Sequence, residues 1–210
     1  DIDLITKLLN SATRPAVLVG SGVRSSEAIK ELERFIEKLQ IPLVYAPSGA
    51  DIYGLENELS IGSVGTMACS RAGNFTVQNA DLVLVLGNRL NSMVVGEKCQ
   101  FAREATIVVI DIDRVEHSKG IANIDHLIIS DIKYTLNSLE LKGIKKTNPK
   151  WIDKCKHWKI IFPKCEEQHR GTKEVDLYYL AEILSKVLPK KSSLVTDSGL
   201  IELILPSNIS

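Results

Sequence analysis

Three short runs of this chain, Ala16-Val17-Leu18-Val19, Leu82 to Leu86 and Ile107 to Ile110, are apolar at every position. A strand with one wet face alternates apolar and polar side chains. An unbroken run of leucine and β-branched residues instead needs cover on both faces, as in a parallel sheet between two layers of helices. Helical stripes lie between the runs. The clearest is Ala28, Ile29, Leu32, Phe35, Ile36 and Leu39, the i, i+3, i+4, i+7 spacing of a helix laid on a sheet. Ser25 or Ser26 is placed to cap that helix, with Glu27 in its first turn where the helix dipole favours an anion. Pro42-Leu43-Val44-Tyr45 follows as a second strand and completes a βαβ unit, with a right-handed crossover expected.

The other elements extend the same plan. Leu4, Ile5, Leu8 and Leu9 stripe a short first helix. Gly49 to Gly65 is glycine-spotted and holds a short Leu59-Ser60-Ile61 strand. A helix is predicted from Thr66 to about Asn79, with Met67, Ala72 and Phe75 facing inward. His126-Leu127-Ile128-Ile129 is the last strand, and Ser130 or Asp131 caps the helix carrying Leu136 and Leu139. Residues 1 to 141 therefore read as an α/β domain, three-layer α/β/α and doubly wound, around a mainly six-stranded parallel sheet.

Residues 142 to 191 read as a linker and helices. Trp151, Cys155, Trp158 and Phe162 stripe one of them. Asp176 caps another, with Leu180, Leu184 and Leu188 inside, and Pro189-Lys190-Lys191 breaks it. In residues 192 to 210, Leu194-Val195-Thr196-Asp197 begins a strand with no partner in view. A lone strand leaves its backbone groups unpaired. With a start at Asp1 and a stop at Ser210, the expectation is a segment cut from a longer chain, its last residues the beginning of a further domain.

Lys+Arg and Asp+Glu are both 26, so the formal charge is zero and no basic excess offers itself to nucleic acid or anionic lipid. The apolar runs are far too short to span a bilayer and no signal peptide opens the sequence, which makes the cytosol the expected compartment. Cys69, Cys99, Cys155 and Cys165 have neither C-x-x-C nor zinc-finger spacing. They read as small buried or half-buried hydrophobes in a reducing compartment, and no metal site is expected.

Ligands of such sheets bind at the carboxyl ends of the strands. There the chain places Gly20, Ser21 and Gly22, then Gly62 and Gly65, Gly87, Asn88 and Arg89, Asp111, Ile112 and Asp113, and finally Asp131. Glycines admit a close ligand, free N–H groups face an anion, and a carboxylate holds ribose hydroxyls. Taken singly, each position is more readily a tight turn, a helix cap or a surface ion pair. Together, at successive strand ends, they suit a nucleotide with a diphosphate. An ordinary NAD site is disfavoured, because Ser25 stands at the third glycine position and the second strand ends Tyr45-Ala46-Pro47 without an acid. His117, His126, His157 and His169 are scattered; three lie in polar helical or linker sequence, and His126 opens a strand. No G-x-S-x-G elbow surrounds Ser21 or Ser63. No catalytic residue is assigned.

At this point the sequence resembles the central domain of thiamine-diphosphate enzymes, and within them acetolactate synthase. The resemblance is carried by Arg14 to Val23, by Gly62-Ser63-Val64-Gly65-Thr66, by Gln78 to Leu90, by Phe101-Ala102-Arg103 and by Val109 to Glu116. It covers roughly residues 4 to 139 and implies a Rossmann-like fold of the NAD/FAD-binding type. The segment from Trp151 to Trp158 and Val195-Thr196-Asp197-Ser198-Gly199 resemble the linker and first strand of the diphosphate-binding domain that follows in the family. The resemblance implies a three-domain enzyme that uses thiamine diphosphate and Mg2+ on a 2-oxo acid such as pyruvate, with both cofactors held outside this segment. It implies FAD in the middle domain of acetolactate synthases, ADP or nothing in relatives, and a homo-oligomer, dimer or tetramer. By motif position Gly20, Ser21, Gly22, Gly62, Gly87, Asn88, Arg89, Asp111, Ile112 and Asp131 fall where the flavin nucleotide is held. Two stretches depart: the family's G-x-R-F-D-D-R ends here at Met93, and its G-Q-H-Q reads Gly199-Leu200-Ile201-Glu202.

Two other readings compete. Gly20-Ser21-Gly22 and Val77 to Asp81 faintly resemble a sirtuin-like NAD-dependent deacylase core, but the zinc-binding cysteines and the histidine after the Gln-Asn pair are missing. A non-catalytic domain kept for subunit packing is the third.

Overall fold

In the computed structural model, which describes residues 1–171, 173–189 and 191–209, the apolar runs all become strands of one sheet. They are β1 (Pro15–Val19), β2 (Leu43–Tyr45), β3 (Ser60–Ser63), β4 (Leu82–Leu86), β5 (Thr106–Asp111) and β6 (His126–Ile129). Every pairing is parallel, and the order across the sheet is β3-β2-β1-β4-β5-β6. Chain order reverses direction between β1 and β4, so loops leaving these two neighbours turn to opposite sides and open a crevice.

Among the described residues ten α-helices accompany the sheet: α1 (Ile2–Ser11), α2 (Gly22–Ser25), α3 (Ile29–Leu39), α4 (Arg71–Asn79), α5 (Ser92–Val95), α6 (Arg114–His117), α7 (Ile132–Ser138), α8 (Pro149–Ile161), α9 (Leu177–Val187) and α10 (Leu200–Asn208). Alternate strand residues feed two separate cores. Val17, Val19, Leu84, Leu86, Val108 and Ile110 meet α1, α3 and α7 through Ile5, Phe35, Ile36 and Leu136. Ala16, Leu18, Val83, Val85, Ile107 and Val109 meet α4 and α8 through Ala72, Val77, Trp151 and Cys155. This is why the strands carry no polar alternation: each face is covered. Helix α8 is therefore a wall of the sheet as well as part of the segment read as linker, and its Trp151 indole Nε1 donates to the Pro15 carbonyl at 2.9 Å.

Asp81 fastens the start of β4 to the start of β1. Its carboxylate accepts the Thr13 N–H (2.8 Å), the Thr13 hydroxyl (2.5 Å) and the Arg14 N–H (2.8 Å). Burial alone would raise its pKa, but these hydrogen bonds prevail and hold it below the usual carboxylate range. A lowered folded-state pKa means the stabilisation is present above the unfolded value of about 3.9 and is lost as pH falls through the folded one. Asp81→Asn is expected to cost about 1–2 kcal/mol near neutral pH. That deficit should shrink below about pH 4, as the parent's own carboxyl protonates. Urea unfolding of both proteins across pH reads this directly.

Five local expectations are corrected. No serine caps the long second helix: Ser25 and Ser26 are used up closing α2, Glu27 turns at φ 54°, and Ala28 stands at the N-cap of α3. The helix expected from Thr66 starts at Arg71, where the Ser70 hydroxyl accepts the Gly73 N–H at 3.3 Å. Of its three expected core residues only Ala72 is buried, with Met67 49% and Phe75 41% exposed. Gly73 presses so closely on β3 that Ala72, Gly73, Thr76 and Val77 form the buried face, and Phe75 turns outward to stack on Phe162 and Trp158. In α9 only Ala181 is buried, while Leu180, Leu184 and Leu188 are half-buried. Leu194 to Asp197 forms no strand, since neither sheet edge, β3 or β6, takes it up, and the chain enters α10 instead. Lys190 and Ser210 lie outside the described residues.

Candidate functional site

The crevice between β1 and β4 is built from backbone. Gly20 N–H donates to Leu86 O, Gly22 N–H to Gly87 O and Gly87 N–H to Ile110 O, each at 3.0 Å. A Cβ on Gly20 would lie 2.4 Å from Gly87 O, and one on Gly22 would lie 2.6 Å from Gly87 Cα. The two loops thus touch main chain to main chain, and Gly87 also takes φ 56°. These three glycines are required by the fold whether or not a ligand arrives. Ser21 stands at the N-cap of α2 without a side-chain capping bond, and the buried Asn88 turns its side-chain oxygen onto Leu90 N–H at 2.8 Å. Arg89 is exposed beside it.

On the next strand Asp111 closes β5 and is buried. Its Oδ1 accepts Asp113 N–H at 3.0 Å, and its Oδ2 lies 3.3 Å from His117 Nε2. Ile112, between the two aspartates, is 75% exposed. Asp131, after β6, is exposed and caps α7 by accepting Tyr134 N–H at 2.9 Å. Gly62 stands apart. It lies within β3 at the far edge of the sheet, packed against Ser70. The structure accordingly groups Gly20, Ser21, Gly22, Gly87, Asn88 and Arg89 at the crossing, sets Asp111, Ile112 and Asp131 along the neighbouring strands, and detaches Gly62.

Sequence reasoning missed His117, read as polar helix or linker. Its side chain is 1% exposed, and neither ring nitrogen makes an aligned hydrogen bond, the Asp111 oxygen being near but off the donor direction. The available signal was its place at the end of α6, one turn after the Asp113 cap, which brings its ring back to Asp111. Among the described residues no group of three or more His, Cys, Asp or Glu could hold a metal ion, and no helix is long and apolar enough to cross a membrane.

The cysteines are all free thiols but not all sheltered, as expected of them: Cys155 and Cys165 are buried, Cys69 is half-buried and Cys99 is exposed. Burial pushes the Cys155 thiol up to about 12, and burial raises Cys69 and Cys165 as well. Since the thiolate is the reactive form, a chromogenic disulfide reagent at neutral pH should release one equivalent quickly, from Cys99, with Cys155 reacting only on unfolding. Loss of the fast phase in Cys99→Ser checks the assignment.

Residues 2–139 match the family described as thiamine pyrophosphate enzyme, central domain. The chain belongs to that family. It is similar to the acetolactate synthase large subunit of Lactococcus lactis, 32% identical over 151 residues that cover 71% of this chain and 26% of that protein. It is 29% identical over 208 residues to the large subunit of Cyanidium caldarium, covering 94% of this chain and 34% of that protein. A probable acetolactate synthase large subunit of Methanocaldococcus jannaschii is 35% identical over 133 residues, covering 63% of this chain and 22% of that protein. The chain thus spans at most about a third of the length of these relatives. This thiamine pyrophosphate enzyme central domain is of the acetolactate-synthase-like kind, and the sirtuin-like alternative gains no support. The family match ends with α7, and α8 closes the second core from beyond it.

Proposed function

We propose that this chain is the nucleotide-holding middle domain of a thiamine-diphosphate-dependent decarboxylase or carboligase acting on a 2-oxo acid such as pyruvate. The observation that carries the proposal is the reversal of strand order between β1 and β4, with Arg89 and Asp111 at the adjoining strand ends, in a chain matched to this central domain. Arg89 is placed for a phosphate, Asp111 for ribose hydroxyls and the exposed Ile112 for the face of a base, a set that fits FAD or ADP. Ser21, Asn88 and Asp131 border the same edge, while Gly20, Gly22 and Gly87 bring the two loops together and Gly62 serves α4 packing.

The residues described do not fit Mg2+, because they offer no metal-ligand cluster. In this reading thiamine diphosphate and Mg2+ are therefore held by parts of the enzyme outside this chain. The thiazolium of the cofactor supplies the electron sink through which a 2-oxo acid loses CO2. This chain's part is to bind and orient the nucleotide and to hold the sheet rigid. A homodimer or tetramer, a cytoplasmic location and the lack of nucleic-acid or membrane contacts belong to the same reading.

One observation favours a second reading. The glycine crossing is filled by the protein's own backbone, as it would be in a domain kept only for packing. The full-length enzyme with thiamine diphosphate and Mg2+ should release CO2 from pyruvate or another 2-oxo acid. Failure with every 2-oxo acid tried would remove the catalytic reading.

A further inference from the structure

A cavity of about 310 Å³ lies at the β3 edge, away from the β1–β4 crossing, within the range of small-ligand pockets. Its walls include Ser70 and Arg71 at the start of α4, Lys159 near the end of α8, Lys164 just beyond it, Tyr178 of α9 and Ser207 of α10. Arg71 is ion-paired with Glu166. Lys159 Nζ donates to the carbonyls of Leu55 (3.3 Å) and Asn57 (3.0 Å), and Lys164 Nζ to that of Asn208 (3.4 Å). Two ammonium groups are thus left facing the same space with neutral carbonyls as hydrogen-bond acceptors. Desolvation lowers the pKa of both and the charge of Lys164 lowers that of Lys159 further, outweighing the opposite pull of the Glu56 carboxylate on both lysines and of Glu58 on Lys159. The hydroxyl of Ser207 is buried on the same wall without a hydrogen-bond partner.

We propose that this cavity binds a small doubly charged oxyanion, a phosphate group or a dicarboxylate, between Lys159 and Lys164, with the Ser207 and Tyr178 hydroxyls as donors. A dianion gives the two lysine ammonium groups a charge partner inside the cavity, where their printed hydrogen bonds go only to neutral carbonyls. It relieves the repulsion between the ammonium groups and gives the Ser207 hydroxyl an acceptor. The positive end of α4 opens onto the same space through Ser70 and Arg71. The site is independent of the nucleotide reading, since none of the residues at the β1–β4 crossing lines it.

The test is a titration of the chain, followed by calorimetry and by thermal shift, with inorganic phosphate, malonate and pyruvate in separate arms. One dianion or both should saturate a single site below about 10 mM, with pyruvate at least about tenfold weaker. Phosphate alone binding marks a phosphate site, and malonate alone a dicarboxylate site. Lys164→Gln is expected to weaken the dianion about tenfold, and Tyr178→Phe by a smaller factor. Lys159→Gln should act like Lys164→Gln; because its loss also frees the Leu55 and Asn57 carbonyls, the exposed Lys164 carries the decision. Lys7→Gln, on the exposed face of α1 away from the cavity, should leave the affinity unchanged. Silence from both dianions, pyruvate binding as tightly as they do, or unaltered affinity in Lys164→Gln would each overturn the proposal.

Discussion

Gly87→Ala should destabilise the chain by about 4 kcal/mol, among the largest effects of any single methyl group. Two costs act at once. The residue sits at φ 56°, where an L side chain loses roughly 1–2 kcal/mol. The new Cβ would also stand 2.6 Å from Gly22 Cα and 2.7 Å from Ile132 Cδ1. The β1 and β4 loops would have to part, weakening the Gly22 N–H to Gly87 O bond. Gly54 separates the two costs, for it has φ 74° but open space around its Cβ position. Gly54→Ala should therefore cost only about 1 kcal/mol. Urea midpoints for both variants provide the comparison. If Gly87→Ala were no worse than Gly54→Ala, the close crossing of the two loops would be wrong.

Trp151→Ala is expected to cost about 3–5 kcal/mol, although the residue lies beyond the matched family segment. The indole is buried in the second core, meets Trp158 edge to face at 5.8 Å, and donates to Pro15 O at the mouth of β1. Trp151→Phe keeps most of the apolar contact and loses the hydrogen bond, for a smaller loss of about 1–2 kcal/mol. Ile160 lies on the same helix but 76% exposed, and its change to Ala should cost little. Equal, small effects at Trp151 and Ile160 would mean that α8 is a detachable linker and not a wall of the sheet.

The sheet was legible because burial on two faces leaves an unmistakable pattern. Leu82 to Leu86 can only be a covered strand, and the structure divides its side chains alternately between two cores. The stripe of α3 was readable for the same reason. Met67 and Phe75 misled because periodicity does not show where a helix starts, and the close approach of Gly73 to Ser63 O settles that register through tertiary contact. Leu194 to Asp197 has the composition of a strand, but a strand exists only with a neighbour. At the crossing, the positions of Gly20, Gly22 and Gly87 were readable, yet their packing on one another depends on β1 and β4 being adjacent, which local pattern does not reveal. His117 looked polar because its neighbours are polar, and its burial follows from the fold of α6 over Asp111. Lys159 and Lys164 lie in a lysine-rich helix end that reads as an ordinary solvated face. Only the docking of the segments around α9 and α10 turns them toward one cavity.

The central claim, that the β1–β4 edge receives a nucleotide, is tested most directly by calorimetric titration of the chain with ADP and with FAD. Saturable one-to-one binding of at least one is predicted, weakened about tenfold by Arg89→Ala and similarly by Asp111→Asn, the loss of about one charged hydrogen bond in each case. Flat titrations with both ligands, or binding that neither substitution changes, would contradict it and leave the crossing as packing alone.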